Sequence, residues 1–299
     1  MNSTRFDTDA THTSGQKEPS PARPKLRNLR LIPVYTGLSL PVLALLGLWA
    51  LVMIALPIVR AFAATATFDA LVVVSVGVQA AAVLLVLGEA WGWRRTASMA
   101  LLVGVLSWAI EALGSSTGFP FGHYDYTASL QPQLRGVPLV IPLAWLMMLP
   151  VAWAVAQALA GARSRWTFVA LSAAAFTAWD LFLDPQMVSW GYWVWENPNG
   201  YFGIPWVNYA GWLLSSAFLT VVACPRPVPI LPLLIIYTIT WALESIGLVV
   251  FFGLPGPGVV GMVVMGAFVV LAWRAWWRSD QRRTSYDERR TATGPVNTV

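Results

Sequence analysis

Seven side chains able to move protons fall in or beside three apolar stretches: Glu111, His123, Asp125, Asp180, Asp184, Glu196 and Glu244. Asp180 and Asp184 are four residues apart, so on a continuous helix they share a face. They open the run WDLFLDPQMVSWGYWVWENPNGYFGIPWVNYAGW, Trp179 to Trp212. The run leaves an apolar segment through Asp180, Asp184 and Pro185, crosses a loop dense in Trp and Tyr, and becomes apolar again near Val207. That loop holds Glu196 and neither Lys nor Arg. A carboxyl group inside a membrane helix costs roughly 2.5–3.5 kcal/mol at mid-depth and less near an end. Glu111, Asp180 and Glu244 each carry part of that cost. A carboxylic acid kept neutral in such a place can donate a proton. The chemistry suggested is general acid or acid/base catalysis in a lipid-accessible cavity. The bland alternative is that each carboxyl is held by Ser, Thr or Trp of a neighbouring helix.

Other features narrow the chemistry. The loop GSSTGFPFGHYDYT, Gly114 to Thr127, places His123 two residues from Asp125 among aromatic residues. A lone His is more often structural than catalytic, but its neighbouring Asp and the aromatic loop on the carboxylate side give the pair a catalytic or site-shaping reading. A D-x-x-x-D pair can hold Mg²⁺ and a diphosphate, but that needs a second Asp-rich motif and basic residues. Only Arg135 is near, which disfavours it. One Cys, Cys224, and two histidines, His12 and His123, exclude an internal disulfide and a multi-histidine metal centre. The residues therefore call for neither metal nor cofactor. Trp179, Trp190, Trp193, Trp206, Tyr124, Tyr126, Trp108 and Trp241 are candidates for lining a slot for a long apolar chain. Their π faces could stabilise a cation, while an interfacial aromatic belt explains part of the 17 Trp equally well. Gly256–Gly261, GPGVVG, fits a nucleotide-binding pattern by letters only. With no strand before it, the pattern lacks its context, and helix packing explains Gly258, Gly261 and Gly266 better.

The elements that position these groups are membrane helices. Of 299 residues, 57% are hydrophobic and 11% charged, against roughly 25% charged in a soluble domain. Eight apolar segments are expected near 34–59, 69–90, 97–114, 139–161, 166–183, 207–224, 228–251 and 258–277, each about long enough to cross a core of about 30 Å. The fold class is an all-α polytopic bundle with residues 34–277 as the transmembrane catalytic domain. Residues 1–33 and 278–299 read as disordered basic tails, with no cleavable signal visible.

Arginine and lysine set the orientation. With both termini on the cytoplasmic side of the plasma membrane, 17 basic residues fall inside and only Arg60 and Arg135 outside. The net charge of +5 thus reflects topology and gives no reason to expect nucleic acid. All seven candidate groups then lie toward the outer face, and Glu89 alone lies toward the inner one. WAIEALG, Trp108–Gly114, and WALESIG, Trp241–Gly247, suggest a four-plus-four parallel repeat that pairs Glu111 with Glu244.

On GFPFGHYDYT, WDLFLDPQMV and YWVWENPNGYFGIPWVNYAGW the chain resembles the membrane carotenoid biosynthesis proteins, which include carotenoid 1′,2′-hydratases and bisanhydrobacterioruberin hydratases. The resemblance extends over nearly all of 34–277. It implies addition of water across a terminal isoprenoid double bond of an acyclic carotene end, giving a tertiary alcohol. The partners implied are the carotenoid, water, lipid and other enzymes of the pathway. The resemblance assigns no catalytic residues. From the residues themselves, Asp180 or Glu111 would protonate the alkene, and Asp184 or the His123/Asp125 pair would place the water. A cyclase, a prenyltransferase, and a carotenoid-binding or transport protein remain as alternatives.

Overall fold

The computed structural model describes residues 38–161 and 163–292. The tail expected at 1–33 lies outside them. Eight α-helices follow in order: α1 Leu40–Phe62, α2 Thr65–Trp91, α3 Trp93–Thr117, α4 Val140–Ala160, α5 Arg165–Ser189, α6 Trp206–Ala223, α7 Ile230–Ile246 and α8 Pro255–Ala292. A π-helix, Gly247–Phe251, extends α7. Four short strands complete the chain: β1 Tyr124–Tyr126, β2 Gln133–Leu134, β3 Val137–Pro138 and β4 Trp193–Trp195. Eight helical spans are long and apolar enough to cross a membrane, one for each expected segment. The protein is an all-α polytopic membrane bundle.

The core sits around α4, which packs against α2, α3, α5, α7 and α8. Its sequence explains this place. Ala152, Ala154 and Ala156 keep the helix thin, while Trp145, Met148 and Trp153 fill the gaps to its neighbours. Small residues let other helices close in as well. A Cβ on Gly261 of α8 would lie 2.7 Å from the Phe182 ring of α5, and one on Gly266 would lie 3.0 Å from the Trp241 indole of α7. The glycine pattern near Gly256 therefore serves helix packing.

Antiparallel neighbours put the loops after α1, α3, α5 and α7 at one end. There β1 pairs antiparallel with β4, joining the loop after α3 to the loop after α5. Tyr192 Oη donates to Asp69 Oδ1 at 2.8 Å, tying the second loop to the start of α2. At the opposite end Gln157 of α4 exchanges hydrogen bonds with both backbone groups of Val228, at 2.9 and 2.8 Å. Glu89, near that end, accepts from Ser39 Oγ at 2.6 Å.

Two boundaries differ from the sequence expectation. Segment five was expected to end near 183, with Asp184 in or near a loop; instead α5 runs through Pro185 to Ser189. Proline leaves the carbonyl four residues earlier without its helical donor. Here that carbonyl is Leu181 O, and Tyr201 Oη donates to it at 3.2 Å. The loop supplies what the proline removes, and the helix continues. At the far terminus, α8 continues to Ala292, so residues 278–292 are helical. Once the apolar part has nucleated the helix, Arg, Gln and Glu extend it at little cost.

Replacing Gly261 by Leu should overpack Phe182 and destabilise the bundle by about 1–3 kcal/mol. Thermal unfolding in detergent should show a lower midpoint for Gly261→Leu. Gly47→Ala, where nothing lies within 4 Å of the added atom, should leave the midpoint unchanged or slightly raised.

Candidate active site

A cavity of about 490 Å³ lies among α1 to α7 and the paired strands β1 and β4. Its walls are mostly apolar and aromatic. Three carboxyl groups line it: Glu111 of α3, Asp184 of α5 and Glu244 of α7. Among the described residues no Lys or Arg lines it.

Glu111 is buried and receives three donors. Tyr124 and Tyr126 each donate to Oε2, at 2.7 and 2.8 Å, and Trp145 Nε1 donates to Oε1 at 3.1 Å. The β1–β4 pairing explains how both tyrosines arrive together. Alternate residues of a strand face the same side, so Tyr124 and Tyr126 turn inward with their partners Trp195 and Trp193. Burial, reinforced by the nearby Glu111 carboxylate, holds both phenols well above the usual tyrosine range. They remain protonated donors.

Asp180 and Asp184 converge on one amide. Asn208, in the first turn of α6, donates through Nδ2 to Oδ2 of both, at 3.3 Å for Asp180 and in close contact for Asp184. Trp193 Nε1 donates to Asp184 Oδ1 at 3.0 Å. Asp184 lines the cavity, whereas Asp180 lies one turn behind it, fully buried. Oδ1 of Asp180 and the Tyr209 hydroxyl, both buried, have no partner among the described residues. Glu244 and Gln186 line the cavity together.

The aromatic wall is ordered. Trp145 stacks on Trp212 with centroids 4.9 Å apart and on Phe176 at 4.7 Å. Phe121 fits between α3 and α6, where a Cβ on either Gly114 or Gly211 would come within 2.6 Å of its ring. The indole N–H groups of Trp49, Trp179, Trp190 and Trp195 all belong to cavity-lining residues and are buried without a partner among the described residues. Arg60 lies over the Trp190 and Phe68 rings, 5.3 and 5.2 Å from their centroids.

Of the residues singled out from sequence, Glu111, Asp184, Glu244, Trp179, Trp190, Trp193, Tyr124 and Tyr126 line the cavity. His123, Asp125 and Glu196 do not; all three are exposed. Asp125 occupies the outward position of β1, opposite Val194. His123 packs over the backbone of Gly118, where a Cβ would lie 2.8 Å from its ring. Trp206 is exposed at the start of α6. Trp108 and Trp241 do not line the cavity; each donates its N–H to a backbone carbonyl, Leu134 O at 3.3 Å and Met262 O at 2.8 Å. Asn208, Gln186, Gln79, Trp145 and Trp212 line the cavity and were missed. Amides within apolar spans were the available signal for the first three; a search limited to ionisable groups passes over them.

A family profile described as "Carotenoid biosynthesis protein" matches residues 68–226. The match runs from α2 to the end of α6 and includes Glu111, Asp180, Asp184 and Asn208. The chain is 39% identical over 127 residues to a bisanhydrobacterioruberin hydratase of Haloarcula japonica. That alignment covers 41% of this chain and 43% of the relative, so it spans less than half of each. No solved structure matches. With the profile covering more than half its length, the chain belongs to the carotenoid biosynthesis protein family.

Proposed function

We propose that the protein hydrates a terminal isoprenoid double bond of an acyclic carotenoid end without a metal or cofactor. The observation that carries this is the meeting of Glu111 and the Asn208-bridged Asp180/Asp184 pair at one apolar, aromatic-walled cavity. The bisanhydrobacterioruberin hydratase relative supports the same reaction class.

The reaction adds H⁺ to one alkene carbon and water oxygen to the other. Two carboxyls sharing one amide in an apolar interior cannot both ionise cheaply, so the pair holds one proton. Asp184 faces the cavity and delivers it to the less substituted carbon; Asp180 stands behind as the proton's second seat. Positive charge develops on the more substituted carbon. The stacked faces of Trp145 and Trp212 lie along the cavity to stabilise it.

Glu111 has the opposite surroundings. Three donors suit an ionised carboxylate, which only accepts. It attracts the cation and takes the proton that water loses as the C–O bond forms. Water between Glu111 and the pair then returns that proton to Asp184. Unpartnered indole N–H groups around the cavity can hold the attacking water by its oxygen. Glu244, on the α7 wall, keeps a second polar station. This assignment moves the proton donor from Asp180 or Glu111 to Asp184 and removes the His123/Asp125 pair from the chemistry. We infer a plasma-membrane location with both termini on the cytoplasmic side. The reading is supported by Arg94, Arg95, Arg163, Arg165 and Arg226, which all flank the end opposite the β1–β4 pair.

Asp184→Asn should lower hydration by at least about 100-fold, the usual contribution of a positioned acid. The assay is mass spectrometry of pigments from membranes given an acyclic carotene and oxygen-labelled water. A labelled product one water heavier, at the wild-type level in Asp184→Asn, would remove Asp184 from the mechanism. Product of unchanged mass from the wild type would instead indicate ring closure.

Tyr124→Phe and Tyr126→Phe should each reduce the rate roughly 10- to 100-fold, since each removes a hydrogen bond to a charged group. His123→Ala and Asp125→Asn should stay within about twofold of wild type, as expected of exposed positions outside the cavity. Rates for all four variants, normalised to inserted protein, test whether the inward face of β1 alone serves the reaction.

A further inference from the structure

The cavity is not closed toward the bilayer. On one side its lining passes out to residues on the lipid-facing surface: Ile58 of α1 is 57% exposed, Ile246 of α7 53% and Phe251 of the π-helix 59%. α1 packs chiefly on α2 and touches α7 only lightly, so the gap between α1 and α7 is weakly closed.

Both helices framing this gap are irregular where they meet it. Pro57 lies inside α1, lines the cavity and removes a backbone donor there, a common cause of a local bend. Opposite, α7 passes into the π-helix Gly247–Phe251, whose wider turn displaces side chains from α-helical register. Gly247 and Phe251 both line the cavity. Single-turn π-helices are frequent at functional sites. Two distortions facing one gap are hard to explain by packing, since regular helices would close it with more buried contact.

The cavity volume is that of a site for one small ligand. A long polyene therefore places only an end group and a few double bonds inside. Resting on the hydration reading, we propose that the gap between α1 and the α7–π-helix is a lateral portal. Through it one end of a linear polyene slides from the bilayer to Glu111 and Asp184, while the rest of the chain stays in lipid. The occupant is fixed by chemistry: the gap is lined by aliphatic and aromatic side chains, opens on the apolar outer surface of the helices and leads to acid–base groups at its inner side. A soluble substrate would need an opening at the loop end, where Arg60, Trp190 and Phe252 form a lid.

The test uses the full chain bearing Asp184→Asn, expressed in a host that makes an acyclic carotene, purified in detergent and scored for pigment retained per protein. Ile58→Phe combined with Ile246→Phe should lower retention at least about fivefold, by filling the gap. Leu101→Phe, on the lipid-facing side of α3 and away from the cavity, should match the parent protein. If the double variant does not elute as a single species, each single variant is read and should show a smaller loss. Retention equal to the parent in the portal variants, or an equal loss in Leu101→Phe, overturns the portal. Pigment bound through the portal in otherwise wild-type protein but never hydrated would overturn the hydration reading and leave the portal standing.

Discussion

Burying carboxyl groups in an apolar bundle is the constraint that shapes this protein. Each must find donors, because apolar surroundings do not solvate a carboxyl group. Glu111 draws two tyrosines and a tryptophan, and Asp180 and Asp184 draw one shared asparagine. These partners come from β1, α4 and α6. The demand for donors therefore fixes where the loops fold and how α6 meets α5.

The two-stranded pair of β1 and β4 answers that demand economically. It is only three residues long in each strand, yet its two-residue period sends Tyr124, Tyr126, Trp193 and Trp195 to one side. Trp193 reaches Asp184 and both tyrosines reach Glu111. One small element thus supplies donors to two carboxyls on different helices. The same period turns Asp125 and Glu196 outward, although their residue types look as chemical as those that face in.

Asymmetry between the carboxyl sites gives the cavity its direction. Glu111 accepts from three donors, while Asp180, behind Asp184, keeps one oxygen without a partner among the described residues. Between them runs an aromatic wall, and away from them the lining becomes aliphatic and reaches the lipid-facing surface. A reactive end group can be held at one end of this space with an inert chain trailing from the other.

The sequence by itself determined the bundle. Long uncharged runs must span a membrane as helices, since that is how each segment satisfies its own backbone. The scarcity of charge made Glu111, Asp184 and Glu244 stand out, and all three line the cavity. Tertiary structure decided the rest. Pro185 reads as a helix end, yet Tyr201 from a distant loop satisfies Leu181 O and α5 continues. Asp180 and Asp184 look equivalent at four-residue spacing, but only packing puts Asp184 on the cavity wall. His123 and Asp125 are close in sequence to Tyr124 and Tyr126, and strand register alone separates outward from inward. Asn208 carries no charge to betray it; its role exists only because α6 lies against α5. Local spacing sets which residues can share a face, and only long-range contacts set what that face meets.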